Sequence, residues 1–189
     1  MRASDKNQTV IQLPVLSTND SRFSEVAEMI ALPEIEPNAG IQFFPAFAGF
    51  ETSASGAGRI DISYLYVPWH RDPLTDFDKH PDNEELFIVL QGDFYMIVGS
   101  AGGGDYPRPD EMRCFHVREG DVFVQKRNVW HTACWPLDPT RPTKYLMILN
   151  GHRATDGDSS NLVHGSGNRV DHNIRSLENQ LAVMPQFNS

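Results

Sequence analysis

Cysteine is scarce in this 189-residue chain: Cys114 and Cys134 are too few for a disulfide framework, and neither lies in a CxxC pair. A reduced, cytoplasmic setting is the expectation. Basic clusters are missing too, with 16 Lys and Arg against 25 Asp and Glu and a formal net charge of −9. Nucleic-acid binding draws its affinity from clustered cations, so no nucleic-acid partner is expected. No apolar run approaches the roughly 18 residues of a membrane span, and MRASDKNQTV carries no apolar stretch behind its single Arg. Neither membrane insertion nor secretion is expected. Internal repeats are absent, and helical periodicity is confined to one short stretch. What the chain does have is 40% hydrophobic and 10% aromatic residues, ample for the core of one domain.

That apolar content is parcelled into short segments. After a polar N-terminus, residues 1–8, expected to be mobile, Val10, Ile11, Leu13, Val15 and Leu16 form a short strand. Thr18, Asn19 and Asp20 offer capping oxygens, and Phe23, Val26, Met29 and Ile30 follow at near-helical spacing, which predicts a helix over Ser21–Leu32. Residues 41–50 (IQFFPAFAGF) hold a proline and read as an edge strand. RIDISYLYV, residues 59–67, alternates as a half-buried strand does. Further strands are predicted at 86–90, 94–98, 112–117, 121–125, 129–135 and 144–150, separated by Gly, Pro and Asp turn signals. Many short strands with no helices between them specify an all-β antiparallel sandwich or barrel over residues 9–150. Residues 151–189 turn polar and Gly/Ser/Asn-rich apart from Leu177, Leu181, Val183 and Met184, and read as an extended C-terminal arm packed on the barrel or on a partner subunit.

Two stretches carry chemistry, DKHPDNEELFIVLQG (78–92) and GDVFVQKRNVWHTACW (120–135). They offer His80, Glu85 and His131, with Asp78 as a fourth member. Imidazoles with a carboxylate are the ligand set for Zn, Ni, Mn and Fe, and the same groups act as general acid and base. Side chains repeat every second residue along a strand, so Glu85, Phe87 and Val89 share one face and His131 shares another with Val129.

The spacings His80-x4-Glu85-x6-Gly92 and Gly120-x5-Lys126-x-Asn128-x2-His131 resemble the two motifs of the cupin superfamily, which implies a small β-barrel, or jelly roll, around a metal site. Asp78 stands at that family's leading His and Asp72 at its opening Gly. Lys126 and Asn128 stand where Pro and Gly are usual, and Trp135 where Asn is. Within the superfamily, IQLPVLSTNDSRFSEVAEMI, the acidic-x-His-Pro core before a hairpin, and RPDEMRCFHVREGDVFVQKRNVWHTACWPLD are similar to the ureidoglycolate lyase family. Two positions depart from it: Glu85 falls where Gln is usual, and Thr132 where a second His follows. The resemblance implies cleavage of ureidoglycolate to glyoxylate and urea, a place in allantoin catabolism and purine degradation, one divalent metal ion, and pairing into a homodimer. It makes His80, Glu85 and His131 metal ligands and Asp78 a fourth ligand or a base.

Each of these residues also has a bland reading. His131 beside Trp130 suits a core histidine, Glu85 competes with Glu84 for the inward position, and Asp78 lies in an acidic loop that water can solvate. Motif spacing favours the site for His131 and Glu85 and leaves both readings open for Asp78. Cys134 reads as a small buried residue rather than a nucleophile, Lys126 and Arg127 as exposed, and Tyr64, Tyr66, Phe87, Phe94 and Tyr95 as core or pocket wall. His70, His116, His152, His164 and His172 have no motif support. The sequence thus supports a carbon-nitrogen lyase on a small molecule first. A metal-dependent dioxygenase or isomerase on a small carboxylate comes second, and a non-catalytic binding protein third.

Overall fold

The computed structural model describes residues 9–31, 60–70, 72–80, 84–101, 108–132, 134–150, 175–176 and 182–186. Its elements run β1 (Val10–Leu13), β2 (Val15–Ser17), α1 (Phe23–Val26), β3 (Ala27–Met29), β4 (Ile60–Val67), β5 (Asp76–Phe77), β6 (Glu85–Gln91), β7 (Phe94–Ala101), β8 (Arg113–Val117), β9 (Val122–Gln125), β10 (Val129–His131), β11 (Trp135–Pro136), β12 (Thr143–Asn150), β13 (Arg175–Ser176) and β14 (Ala182–Pro185). A single 3-10 turn, Pro109–Glu111, leads into β8.

Two five-stranded sheets form the body. One has the order β3-β9-β6-β12-β4; the other runs β10-β7-β8-β2, with β11 also on β7. Among the described residues no strand pairing joins the two, so the expected barrel is an open two-sheet jelly roll rather than a closed cylinder. Its interior follows from alternation. Phe87 and Val89 on β6, Phe94, Met96 and Val98 on β7, Phe115 and Val117 on β8, and Phe123 on β9 point between the sheets with Phe23. The Phe87 and Phe123 rings stack 4.9 Å apart, and Phe23 meets Phe115 edge-on at 5.1 Å.

Residues of opposite parity build a second core. Ile97, Cys114 and Trp130 face outward from the second sheet and are covered by Leu13, Phe77, Met112 and Val183. The covering layer includes the parallel pair of β1 and β14, in which Ile11 lies opposite Val183. The tail residue Val183 is therefore buried against its own chain.

The helix is much shorter than its periodicity predicts. Only Phe23–Val26 is helical; at Ala27 the backbone becomes extended, and Ala27–Met29 pairs with β9. A single turn is marginal on its own, and the edge of a sheet offers the next three residues a full set of backbone partners. Nor do the predicted capping oxygens cap α1. Asp20 instead accepts the Arg22 N–H at 3.0 Å and grips the Arg22 guanidinium. Pro14 splits the first predicted strand into β1 and β2, which join different sheets, and the 129–135 strand divides into β10 and β11. The predicted edge strand at 41–50, the N-terminus and most of the C-terminal arm lie outside the described residues.

Candidate metal centre

The site is assembled at one end of the jelly roll by backbone pairing. Asp78 N–H donates to the His131 carbonyl at 2.7 Å, and His131 N–H returns a bond to the Asp78 carbonyl at 2.8 Å. Two residues along, the Asn128 N–H donates to the His80 carbonyl, also at 2.8 Å. The loop that carries Asp78 and His80 is thus stitched to the turn and strand that carry His131. Asn128 makes this possible with φ of 63°, a left-handed conformation that glycine or asparagine adopts most readily. The departure from the motif's Gly at this position preserves the backbone shape the motif needs.

Glu85 opens β6 with its side chain inward, one residue after the half-buried Glu84. It is 1% exposed and His80 is 3% exposed. The Glu85 Oε1 lies 3.2 Å from His80 Nε2, and Oε2 lies 3.1 Å from His131 Nε2. One ligand atom from each of His80, Glu85 and His131 falls within 4.8 Å of the others. Burial by itself would push the Glu85 carboxyl up, but the adjoining His80 and His131 imidazoles hold it well below the usual carboxylate range. Both of its oxygens thus face an imidazole.

The hydrogen bonding of His131 indicates what kind of partner suits it. Its Nδ1 sits 3.0 Å from the Val129 carbonyl, which can only accept, so Nδ1 carries the proton. In a neutral ring Nε2 then presents a lone pair toward the Glu85 oxygen. Two lone pairs this close require a proton or a metal ion between them. Backbone-carbonyl capture of the second ring nitrogen is the usual device for aiming a histidine at a metal. The Nε2-to-carboxylate separations also fit, since ligands bonded at about 2.1 Å stand roughly 3.0 to 3.4 Å apart around an octahedral or tetrahedral ion. The residues present fit a divalent cation.

Asp78 is close by without being part of the group of three. Its Oδ2 is 3.8 Å from His80 Nε2, its Oδ1 accepts the Lys79 N–H at 2.7 Å, and its side chain is 17% exposed. Lys79, on the other face of the same segment, is buried with its ammonium 4.4 Å over the Trp130 ring. Gln125 was not singled out by its sequence. It is buried and donates from Nε2 to Glu85 Oε2 at 3.1 Å. Its place two residues after Phe123, on the inward parity of an apolar strand, was the available signal.

The remaining candidates fall elsewhere. Burial pushes the Cys134 thiol up to about 12, so it is no thiolate at neutral pH. Lys126 is half-buried rather than exposed, because its ammonium donates to the Ser24 carbonyl. His116 pairs with Asp93 at 2.9 Å, and His70 lies against Trp135 with ring centroids 4.9 Å apart. His152, His164 and His172 lie outside the described residues. Tyr64 and Tyr66 are neither core nor pocket wall; both are 58% exposed on the outer face of β4.

An open jelly roll with two histidines and a carboxylate buried at one end is the cupin arrangement. The chain belongs to the ureidoglycolate lyase family: the model of that family matches residues 16–170. It is 31% identical over 112 residues to the ureidoglycolate lyase of Azotobacter vinelandii, covering 58% of this chain and 66% of that protein. With ureidoglycolate lyase 2 of Rhizobium meliloti it shares 29% identity over 150 residues, or 75% and 88% of the two chains. Among solved structures it is similar to a TDP-quinovose 3,4-ketoisomerase from Campylobacter jejuni, with a TM-score of 0.45, 13% identity, and coverage of 69% of this chain and 88% of that one.

Proposed function

We propose that this protein cleaves ureidoglycolate, or a closely similar hydroxy-ureido acid, to glyoxylate and urea. The observation that carries this reading is the buried group of His80, Glu85 and His131 in a chain of this family. In the reaction the hydroxyl proton leaves, the carbon-oxygen bond becomes a carbonyl, the carbon-nitrogen bond breaks, and the departing urea nitrogen takes a proton. His80, Glu85 and His131 would hold a divalent ion of the Zn, Ni, Mn or Fe type. Such an ion supplies positive charge for the substrate carboxylate and lowers the pKa of the hydroxyl.

The proton transfer falls to Asp78. Its Oδ1 accepts the Lys79 N–H, its Oδ2 lies 3.8 Å from His80 Nε2, and Asp78, at 17% exposed against 1% for Glu85, is the more accessible of the site's two carboxylates. In this reading Oδ2 accepts the hydroxyl proton and delivers it to the urea nitrogen, so one group serves as base and then as acid. The stacked Phe87 and Phe123 belong to the apolar interior, two residues along their strands from Glu85 and Gln125.

Glu85 favours a second reading. A carboxylate where the family usually has Gln gives the two-histidine, one-carboxylate set of iron oxygenases, and the alternative is a metal-dependent dioxygenase or isomerase on a small carboxylate. Assay of glyoxylate and urea release from ureidoglycolate, beside oxygen uptake with Fe(II), separates the two. Equimolar glyoxylate and urea without oxygen uptake supports the lyase; oxygen uptake without glyoxylate release overturns it.

We further propose a homodimer and a cytoplasmic location. For the dimer the support is the row of Ile62, Tyr64 and Tyr66, 65%, 58% and 58% exposed, along the outer face of β4, with Leu90 on the same sheet. Large apolar and tyrosine side chains in a row suit a self-complementary interface. Among the described residues no helix is long and apolar enough to cross a membrane.

A further inference from the structure

Glu85 Oε2 has a second close neighbour besides His131. Gln125 Nε2 donates to it at 3.1 Å, and the two side chains are the directly opposed pair of β6 and β9. Opposed residues in a sheet hold their Cβ atoms about 5 Å apart, so the glutamine reaches the carboxylate with little slack. Gln125 is itself 2% exposed. On its other side the opposed residue is Ala27, whose small side chain leaves it room, and two residues before it Phe123 stacks on Phe87. The buried amide therefore lies opposite the carboxylate, on the same strand face as Phe123.

A carboxylate oxygen has two lone pairs. The Gln125 N–H takes one of those on Oε2, which fixes the plane of the carboxylate and turns the remaining lone pair toward His131. An amide does this without adding charge, whereas a lysine or arginine in the same place would neutralise the carboxylate and compete with a cation.

We propose that Gln125 is the positioning residue of the centre: by donating to Glu85 Oε2 it holds the carboxylate in the orientation that binds a divalent cation together with His80 and His131. Gln125 touches neither ion nor substrate. The inference rests on the reading of these three residues as a metal centre, so its test includes one arm that does not depend on metal.

Gln125→Met keeps the length of the side chain and removes the donor, and Gln125→Leu repeats the change with another shape in case the first variant fails to fold. Three measurements decide. Zn(II) affinity, by competition with a chromogenic chelator, falls 10- to 100-fold in the variants, the range seen when a partner that orients a metal ligand is lost. The visible absorption band of the Co(II)-loaded protein shifts. In crystal structures of the metal-free proteins the Glu85 carboxylate is rotated relative to wild type, while thermal midpoints stay within a few degrees. Zn(II) affinity within twofold of wild type with an unmoved carboxylate overturns the proposal. If wild type binds no metal, the metal reading of the site fails, and the metal-free structures alone decide: a rotated carboxylate supports the positioning role and an unmoved one overturns it.

Discussion

Asp78 and His131, 53 positions apart in the chain, exchange both backbone hydrogen bonds of an antiparallel rung, at 2.7 and 2.8 Å. Their side chains belong to different motifs, yet one rung sets the relation between them. The rung acts with the Asn128-to-His80 bond, so backbone hydrogen bonds alone tie together the segments that carry three of the four candidate residues.

The turn that makes this possible is testable at Asn128. At φ of 63°, Asn128→Gly keeps the conformation, while Asn128→Ala keeps the Cβ that asparagine already has but loses the short polar side chain that eases the left-handed region, which costs an ordinary residue up to about 1–2 kcal/mol. Urea unfolding is expected to show the glycine variant near wild type and the alanine variant less stable by roughly that amount. Equal stability of the two variants would mean that the left-handed turn is not what the sequence selects here.

Substitution at Asp78 separates proton transfer from cation binding. Asp78→Asn keeps the shape and the acceptor for the Lys79 N–H but cannot carry a proton. Turnover of ureidoglycolate is expected to fall by about 10²- to 10⁴-fold, with metal content unchanged. A variant with wild-type turnover removes Asp78 from the chemistry.

The β6–β7 turn is held from the neighbouring hairpin, and this sets a pH dependence. Burial opposes ionisation of Asp93, but the Glu119 amide at 3.0 Å and the His116 ring at 2.9 Å lower its pKa on balance. The folded value lies below the unfolded one, near 3.9, so the stabilisation is fully present above about pH 4 and is lost as pH falls through the folded value. In urea unfolding, the stability difference between wild type and Asp93→Asn is expected to be present at pH 5 and to shrink as pH falls below 4. A difference that grows on acidification reverses the sign and refutes the assignment.

Gly92 closes the same turn with φ of +77°, and a Cβ there would meet the Pro142 carbonyl oxygen at 3.1 Å. Gly120, with φ of +90°, has nothing within 4 Å of such a Cβ. Both alanine variants carry backbone strain, but only Gly92→Ala adds a steric conflict, so its thermal midpoint is expected to fall further. Equal midpoints would show that the turn yields at Pro142 without cost.

Light scattering at known concentration tests the outer face of β4. Wild type is expected at twice the 21.3 kDa chain mass, and Tyr64→Lys combined with Tyr66→Lys at the chain mass. A wild-type monomer, or a dimer unaffected by both substitutions, contradicts an interface on this face.

Much of this architecture was legible in the chain. Strand periodicity located β4, β6, β7, β8, β9 and β12 to within a few residues, and the His80, Glu85 and His131 spacings brought together residues whose ligand atoms the structure places within 4.8 Å. What could not be read was decided by tertiary partners. The helix expected through Leu32 stops at Val26 because β9 offers an edge to Ala27–Met29, a partner about a hundred positions away. Lys79 lies in a stretch rich in acidic residues, and nothing in that stretch points to the Trp130 ring over which its ammonium sits. Gln125 was hidden for a similar reason. An uncharged side chain at the end of an apolar strand carries no motif, and its importance comes from the carboxylate directly opposite on β6.

If His80, Glu85 and His131 form one cation-binding centre, the metal content of the protein depends on them. Elemental analysis of the purified protein, beside His131→Ala and Glu85→Ala of verified fold, is expected to show about one divalent ion per chain in wild type and almost none in either variant. An equal metal content in all three proteins, or a metal-free wild type that releases glyoxylate at full rate in the presence of chelator, would contradict it.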